Sequence, residues 1–103
     1  MLTRFTPLIL LIGCALEEED FPAVYADTVC DRIEECDKGA YENLYDDAEE
    51  CQDQWADGAE FWMDAADLLG GDYDPEAARE CINAIKDADC GDFETGDYEC
   101  DLY

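Results

Sequence analysis

"LYDDAEECQDQWADGAEFWMDAADLL", residues 44 to 69, places Leu44, Ala48, Cys51, Trp55, Ala59, Trp62, Ala66 and Leu69 at intervals of four, three, four, four, three, four and three. An alternation of threes and fours keeps apolar side chains on one side of a helix turning once every 3.6 residues. A stripe of that kind is a packing face before it is a ligand site, so the spacing predicts that these eight residues enter a core. Asp57-Gly58 interrupts the helix formers, which leaves open one long helix or two shorter ones, and Gly70-Gly71 closes the region.

The flanks extend the same reading. Upstream, Asp20 stands where an N-cap belongs, ahead of Phe21-Pro22, and Phe21, Tyr25, Val29, Ile33 and Cys36 follow with Val24 and Cys30 beside them. Lys38-Gly39 reads as the basic last turn and glycine stop of this first helix. Downstream, Asp74-Pro75-Glu76 is a second start signal, and Ala78, Cys81, Ile82 and Ile85 form the face of a helix predicted to stop near Cys90-Gly91. The remaining "GDFETGDYECDLY" is made of turn formers and is expected to be pinned by Cys100 instead of by regular structure. The fold class predicted is all-α: a small disulfide-stapled bundle of three to four helices over residues 21–103, with an irregular C-terminal tail.

Seven cysteines are an odd number, and the first stands apart from the rest. "MLTRFTPLILLIGC" has one n-region charge, Arg4, an apolar run from Phe5 to Ile12 and a small residue, Gly13, which are the parts of an export signal. The run is shorter than the roughly 20 residues of a membrane span. Leu11-Ile12-Gly13-Cys14 resembles the lipobox of bacterial lipoproteins, although Pro7 interrupts the run. That resemblance implies removal of residues 1–13, a diacylglycerol thioether on Cys14 and an acylated, palmitate-type new amine. The other reading is an ordinary signal peptide cut elsewhere, with Cys14 a spare thiol. Sulfur arithmetic favours the lipid: with Cys14 acylated, Cys30, Cys36, Cys51, Cys81, Cys90 and Cys100 can all pair. Residues 14–20, with Glu17, Glu18, Glu19 and Asp20, then read as a lipidated cysteine and acidic spacer. Ala15 is not the Asp that the lipoprotein resemblance associates with retention at an inner membrane, so the expected location is an outer membrane, on its periplasmic face or at the cell surface.

"YADTVCDRIEEC" followed by a further Cys, "DPEAARECINAIKDADC" and a terminal Cys resembles a loose group of small cysteine-rich bacterial lipoproteins. The resemblance covers Phe21 to Tyr103 and implies a three-bridge helical domain without indicating a substrate. Six cysteines allow 15 connectivities. Cys30 and Cys36, six residues apart on one helix, face different directions and are expected to take different partners; Cys36 with Cys51 is the favoured clamp on the first hairpin.

Composition excludes several functions. Five Lys+Arg against 30 Asp+Glu give a net charge of −25, which disfavours nucleic acid and anionic lipid as partners held by simple attraction. Two Trp, six Tyr and abundant aliphatic residues argue for a folded domain instead of an acidic tail. Without His or Ser there is no Ser-His or Cys-His catalysis and no imidazole metal ligand, and without C-x2-C there is neither a thiolate zinc nucleus nor a C-x-x-C redox site. The acids offer two candidate sites. Asp87, Asp89, Asp92, Glu94, Asp97 and Glu99 offer hard oxygens for Ca²⁺, but an EF-hand register starting at Asp87 puts Gly91 where an acid is needed and Asp92 where glycine is needed. Carboxylate-dependent hydrolysis is the weaker reading, because with 30 acids some pair always falls together by chance. The chain therefore reads as a non-enzymatic lipid-anchored envelope protein with no cofactor and no metal ligand set, attached to a membrane through Cys14 and suited to a basic protein partner; a Ca²⁺-binding module is the alternative.

Overall fold

The structure, a computed structural model, describes residues 16–103 and consists there of helices, turns and irregular chain without strands. The five helices are α1 (Phe21–Cys36), α2 (Lys38–Leu44), α3 (Ala48–Leu68), α4 (Pro75–Asp87) and α5 (Cys90–Thr95). The three long ones are those the periodicity predicts. The two short ones arise where aspartates restart the chain.

Asp37 leaves helical geometry at φ −152° and its carboxylate accepts the Ala40 N–H at 3.0 Å. The first helix therefore ends at Cys36, and Lys38-Gly39, expected as its last turn, open α2 instead. In the same way Ala88 is extended, and the Asp89 carboxylate accepts the Asp92 N–H at 2.8 Å. That ends α4 at Asp87, ahead of the predicted stop, and starts α5 inside the expected irregular tail. Asp47 and Asp74 cap α3 and α4 likewise. A carboxylate at such a position satisfies otherwise unpaired amides and meets the positive helix end, contributing about 1 kcal/mol. Asp20 precedes α1 but makes no side-chain cap bond.

Gly58 lies inside α3, which runs unbroken for 21 residues. The chain leaves it through Gly70, at φ +87°, and Gly71, where a Cβ would sit 3.0 Å from the Tyr103 ring. The C-terminus thus closes over the end of α3, and Leu102 C=O accepts the Asp74 N–H at 2.8 Å.

Helix α1 is the centre of the assembly, with α3, α2, α4 and α5 packed around it. Ala78, Cys81, Ile82 and Ile85 of α4 are essentially fully buried and join Phe21, Val29 and Met63 in the main core. A second cluster, Cys30, Tyr45 and Cys51, sits at the other end of the α1–α3 pair. There the Trp55 Nε1–H donates to the Tyr45 hydroxyl at 3.0 Å.

The predicted core stripe of α3 is only partly buried. Cys51, Trp55 and Ala59 face α1 as expected, but the next inward residue is Met63, not Trp62. Trp62, Leu69 and Leu44 are 72%, 89% and 61% exposed. Cys51, Trp55, Ala59 and Met63 form a strict four-residue row, matched by Phe21, Tyr25, Val29 and Ile33 on α1. A row of fours winds around a helix instead of running along it. Trp62 and Leu69, about 100° and about 120° from Met63 around the axis, fall outside that row.

Candidate functional site

The six cysteines read as bridge formers are all paired. Cys30–Cys51 joins α1 to α3 (Cα–Cα 6.1 Å), Cys36–Cys90 joins the end of α1 to the start of α5 (5.3 Å), and Cys81–Cys100 ties the tail to α4 (4.4 Å). Cys30 and Cys36 do take different partners, and Cys100 does pin the tail. The favoured Cys36–Cys51 clamp is wrong. Helix α2 fills the hairpin between them, so Cys51 comes level with Cys30, six residues and about 9 Å back along α1. Gln52 Nε2–H donating to Asp27 and Trp55 packing on Tyr25 mark the same antiparallel register.

Residues 1–13, Cys14 and Ala15 lie outside the described residues. The described part of the expected spacer, Leu16 to Asp20, lies against the domain. Leu16 is buried in the main core; its N–H donates to Pro75 C=O at 3.2 Å, and its own carbonyl accepts from the Tyr73 hydroxyl at 2.6 Å. The Tyr103 hydroxyl donates to Glu18 at 3.1 Å. Burial, then the nearby Glu18, Asp20 and Asp74 charges, push Tyr73 up to about 12, so it stays a donor through the neutral range. Tyr103 is raised for the same first reason, with Glu18 and Asp67 adding to it.

Among the described residues no three or more carboxylates or thiols are grouped so as to hold a metal ion. The tail acids considered for Ca²⁺ are dispersed, and Asp89 is engaged as the cap of α5. The Asp31 carboxyl is raised by partial burial and then by Asp27, Glu34 and Glu35, with Lys86 opposing. Arg32 reaches from the same face to Ala88 C=O and lies over the Phe93 ring at 5.7 Å.

What the reading of residues as core or acid did not anticipate is an open apolar face on the second half of α3. Phe61, Trp62, Leu68 and Leu69 are 68%, 72%, 88% and 89% exposed, and the Phe61 and Trp62 rings meet edge-on at 5.8 Å. At about 100° per residue these four fall within an arc of about 120°. Beside them a recess of about 270 Å³ is walled by Phe21, Tyr25, Trp55, Trp62, Met63 and the Cys81–Cys100 bridge. Met63 also lines a second hollow of about 420 Å³ whose rim carries Glu18, Glu19, Glu60, Asp64 and Asp67. The sequence carried a signal for this face: α3 has apolar residues on two arcs, and a helix of a monomer buries one.

No family model, curated protein or solved structure matches the chain. No helix among the described residues is long and apolar enough to cross a membrane.

Proposed function

We propose that the protein is a lipid-anchored, non-enzymatic interaction module of a bacterial envelope, attached through Cys14 and presenting an acidic surface to a basic protein partner. The observation that carries this reading is the thiol count. The three bridges use every cysteine except Cys14, which stands at the end of Leu11-Ile12-Gly13. Such bridges belong to oxidising compartments, and two or three acyl chains hold firmly where one does not.

The seating of Leu16 sharpens the geometry of the proposal. Only one residue, Ala15, lies between Cys14 and Leu16 in the sequence, so an acyl group on Cys14 holds the domain within about 7 Å of its attachment point. The domain then rests close to the bilayer surface, on an outer membrane in the proposed setting. The absence of His and Ser, and of any group of residues placed to hold a metal ion among the described residues, supports a binding role over a hydrolytic one.

Mass spectrometry of the amino-terminal peptide from a membrane fraction tests this proposal. The expected result is a chain beginning at Cys14 with a diacylglyceryl group, and a Cys14→Ser variant that leaves the membrane. An unmodified Cys14, or a wild-type chain that stays soluble when membranes are sedimented, contradicts it.

A further inference from the structure

We propose that the open face of α3 and the recess beside it bind a cationic amphipathic helix of a partner protein. This inference rests on the reading of the domain as an acidic interaction module and names the surface and the ligand class.

Phe61, Trp62, Leu68 and Leu69 extend over two turns of α3, the length over which a docking helix presents its i, i+3, i+4 and i+7 side chains. The recess behind Trp62, about 270 Å³, is smaller than the roughly 300 to 1,000 Å³ of small-molecule sites and takes an apolar anchor side chain instead. Around the helix axis, Asp57, Glu60, Asp64 and Asp67 occupy the arc next to Phe61 and Leu68. Glu60, Asp64 and Asp67 face Glu18 and Glu19 across the second hollow. An occupant therefore meets apolar surface on one side and carboxylates on the other, and the complementary ligand pairs aliphatic residues with Lys or Arg.

The same charges argue against the other occupants. A second copy brings its own net charge of −25 to the contact, and an anionic bilayer surface meets the carboxylates beside Phe61 and Leu68.

The test uses the full chain with its bridges intact and three probes: a helical Leu–Lys peptide, an oligolysine of equal charge and phosphatidylcholine vesicles. The Leu–Lys peptide is expected to bind saturably at one site, shifting Trp62 emission to the blue, and more tightly than oligolysine. Trp62→Gln, a change at an exposed position that leaves the core untouched, is expected to weaken the Leu–Lys peptide about tenfold and oligolysine little. The Glu60→Gln/Asp64→Asn pair is expected to weaken it by a similar factor. Equal affinity for the two peptides, or an unchanged Leu–Lys affinity in Trp62→Gln, overturns the proposal. So does self-association of the chain, or binding to the neutral vesicles, that disappears with Trp62→Gln while peptide affinity stays the same. The anchoring proposal fails separately: a chain unmodified at Cys14 that still binds the peptide refutes only the anchor, and a lipidated chain indifferent to the peptide refutes only this site.

Discussion

Helices α3 and α4 both combine acids, alanines and one bridged cysteine, and they are buried differently. In α4, Ala78, Cys81, Ile82 and Ile85 follow a 3-1-3 spacing and all lie in the core. Glu76, Glu80, Asn83, Lys86 and Asp87 are exposed, and of the polar positions only Arg79 is half-buried, so the helix has one main buried face. In α3 the buried row and the apolar stripe share Cys51, Trp55 and Ala59 and part at the next step, where Met63 and Trp62 lie about 100° apart around the axis. Which of the two turns inward is set by the packing against α1, which is a tertiary property.

Removal of the longest bridge has the largest expected effect on this arrangement. Cys36–Cys90 spans 54 residues, and replacing both cysteines by Ala is expected to cost about 4 kcal/mol, against about 3 kcal/mol for the separations of 21 and 19 in the other two. Urea unfolding of the three double variants ranks them, and a Cys36/Cys90 variant as stable as wild type would sink the assignment of that pair.

A comparable loss is expected from α4 alone. Ile82 is fully buried, and Ile82→Ala removes a methylene and two methyl groups from a closed site, at a cost of about 2 to 5 kcal/mol by the same assay. A smaller effect separates the seam that α4 makes with the amino-terminal segment. Tyr73 ionises near 10 when unfolded and near 12 when folded, so its contribution is complete below pH 10 and is lost as pH rises from about 10 to 12. Tyr73→Phe is expected to flatten the decline of stability over that window, and an unchanged slope would remove Tyr73 from its cause. Smallest of all, Trp62→Ala is expected to shift stability by no more than about 0.5 kcal/mol, although it deletes the largest side chain type in the protein.

The sequence made the three long helices, the all-α class, the Asp74 cap and the completeness of cysteine pairing legible, because each depends on residues near one another in the chain or on a count. Asp37 carries no signal of its own in the sequence, and Asp89 stands among the acids considered for Ca²⁺. Their role as caps depended on whether the preceding helix had already ended, which neither spacing nor composition states. The Cys36–Cys51 expectation fails for a related reason: Lys38-Gly39 reads as the end of the first helix, whereas these residues open the separate seven-residue helix α2. The face at Trp62 was hidden by the regularity of the stripe containing it, since a 3.6-residue period identifies a helix side without saying which neighbour covers it.

Collisional quenching of the two tryptophans by acrylamide, in the single-tryptophan variants Trp55→Phe and Trp62→Phe, tests most directly which side of α3 is buried. Trp55, half-buried against Tyr25 and bonded to Tyr45, should be shielded, whereas Trp62 should be quenched several-fold more strongly and emit further to the red. Equal quenching of the two, or a Trp55 more accessible than Trp62, would place the apolar stripe in the core and contradict the account.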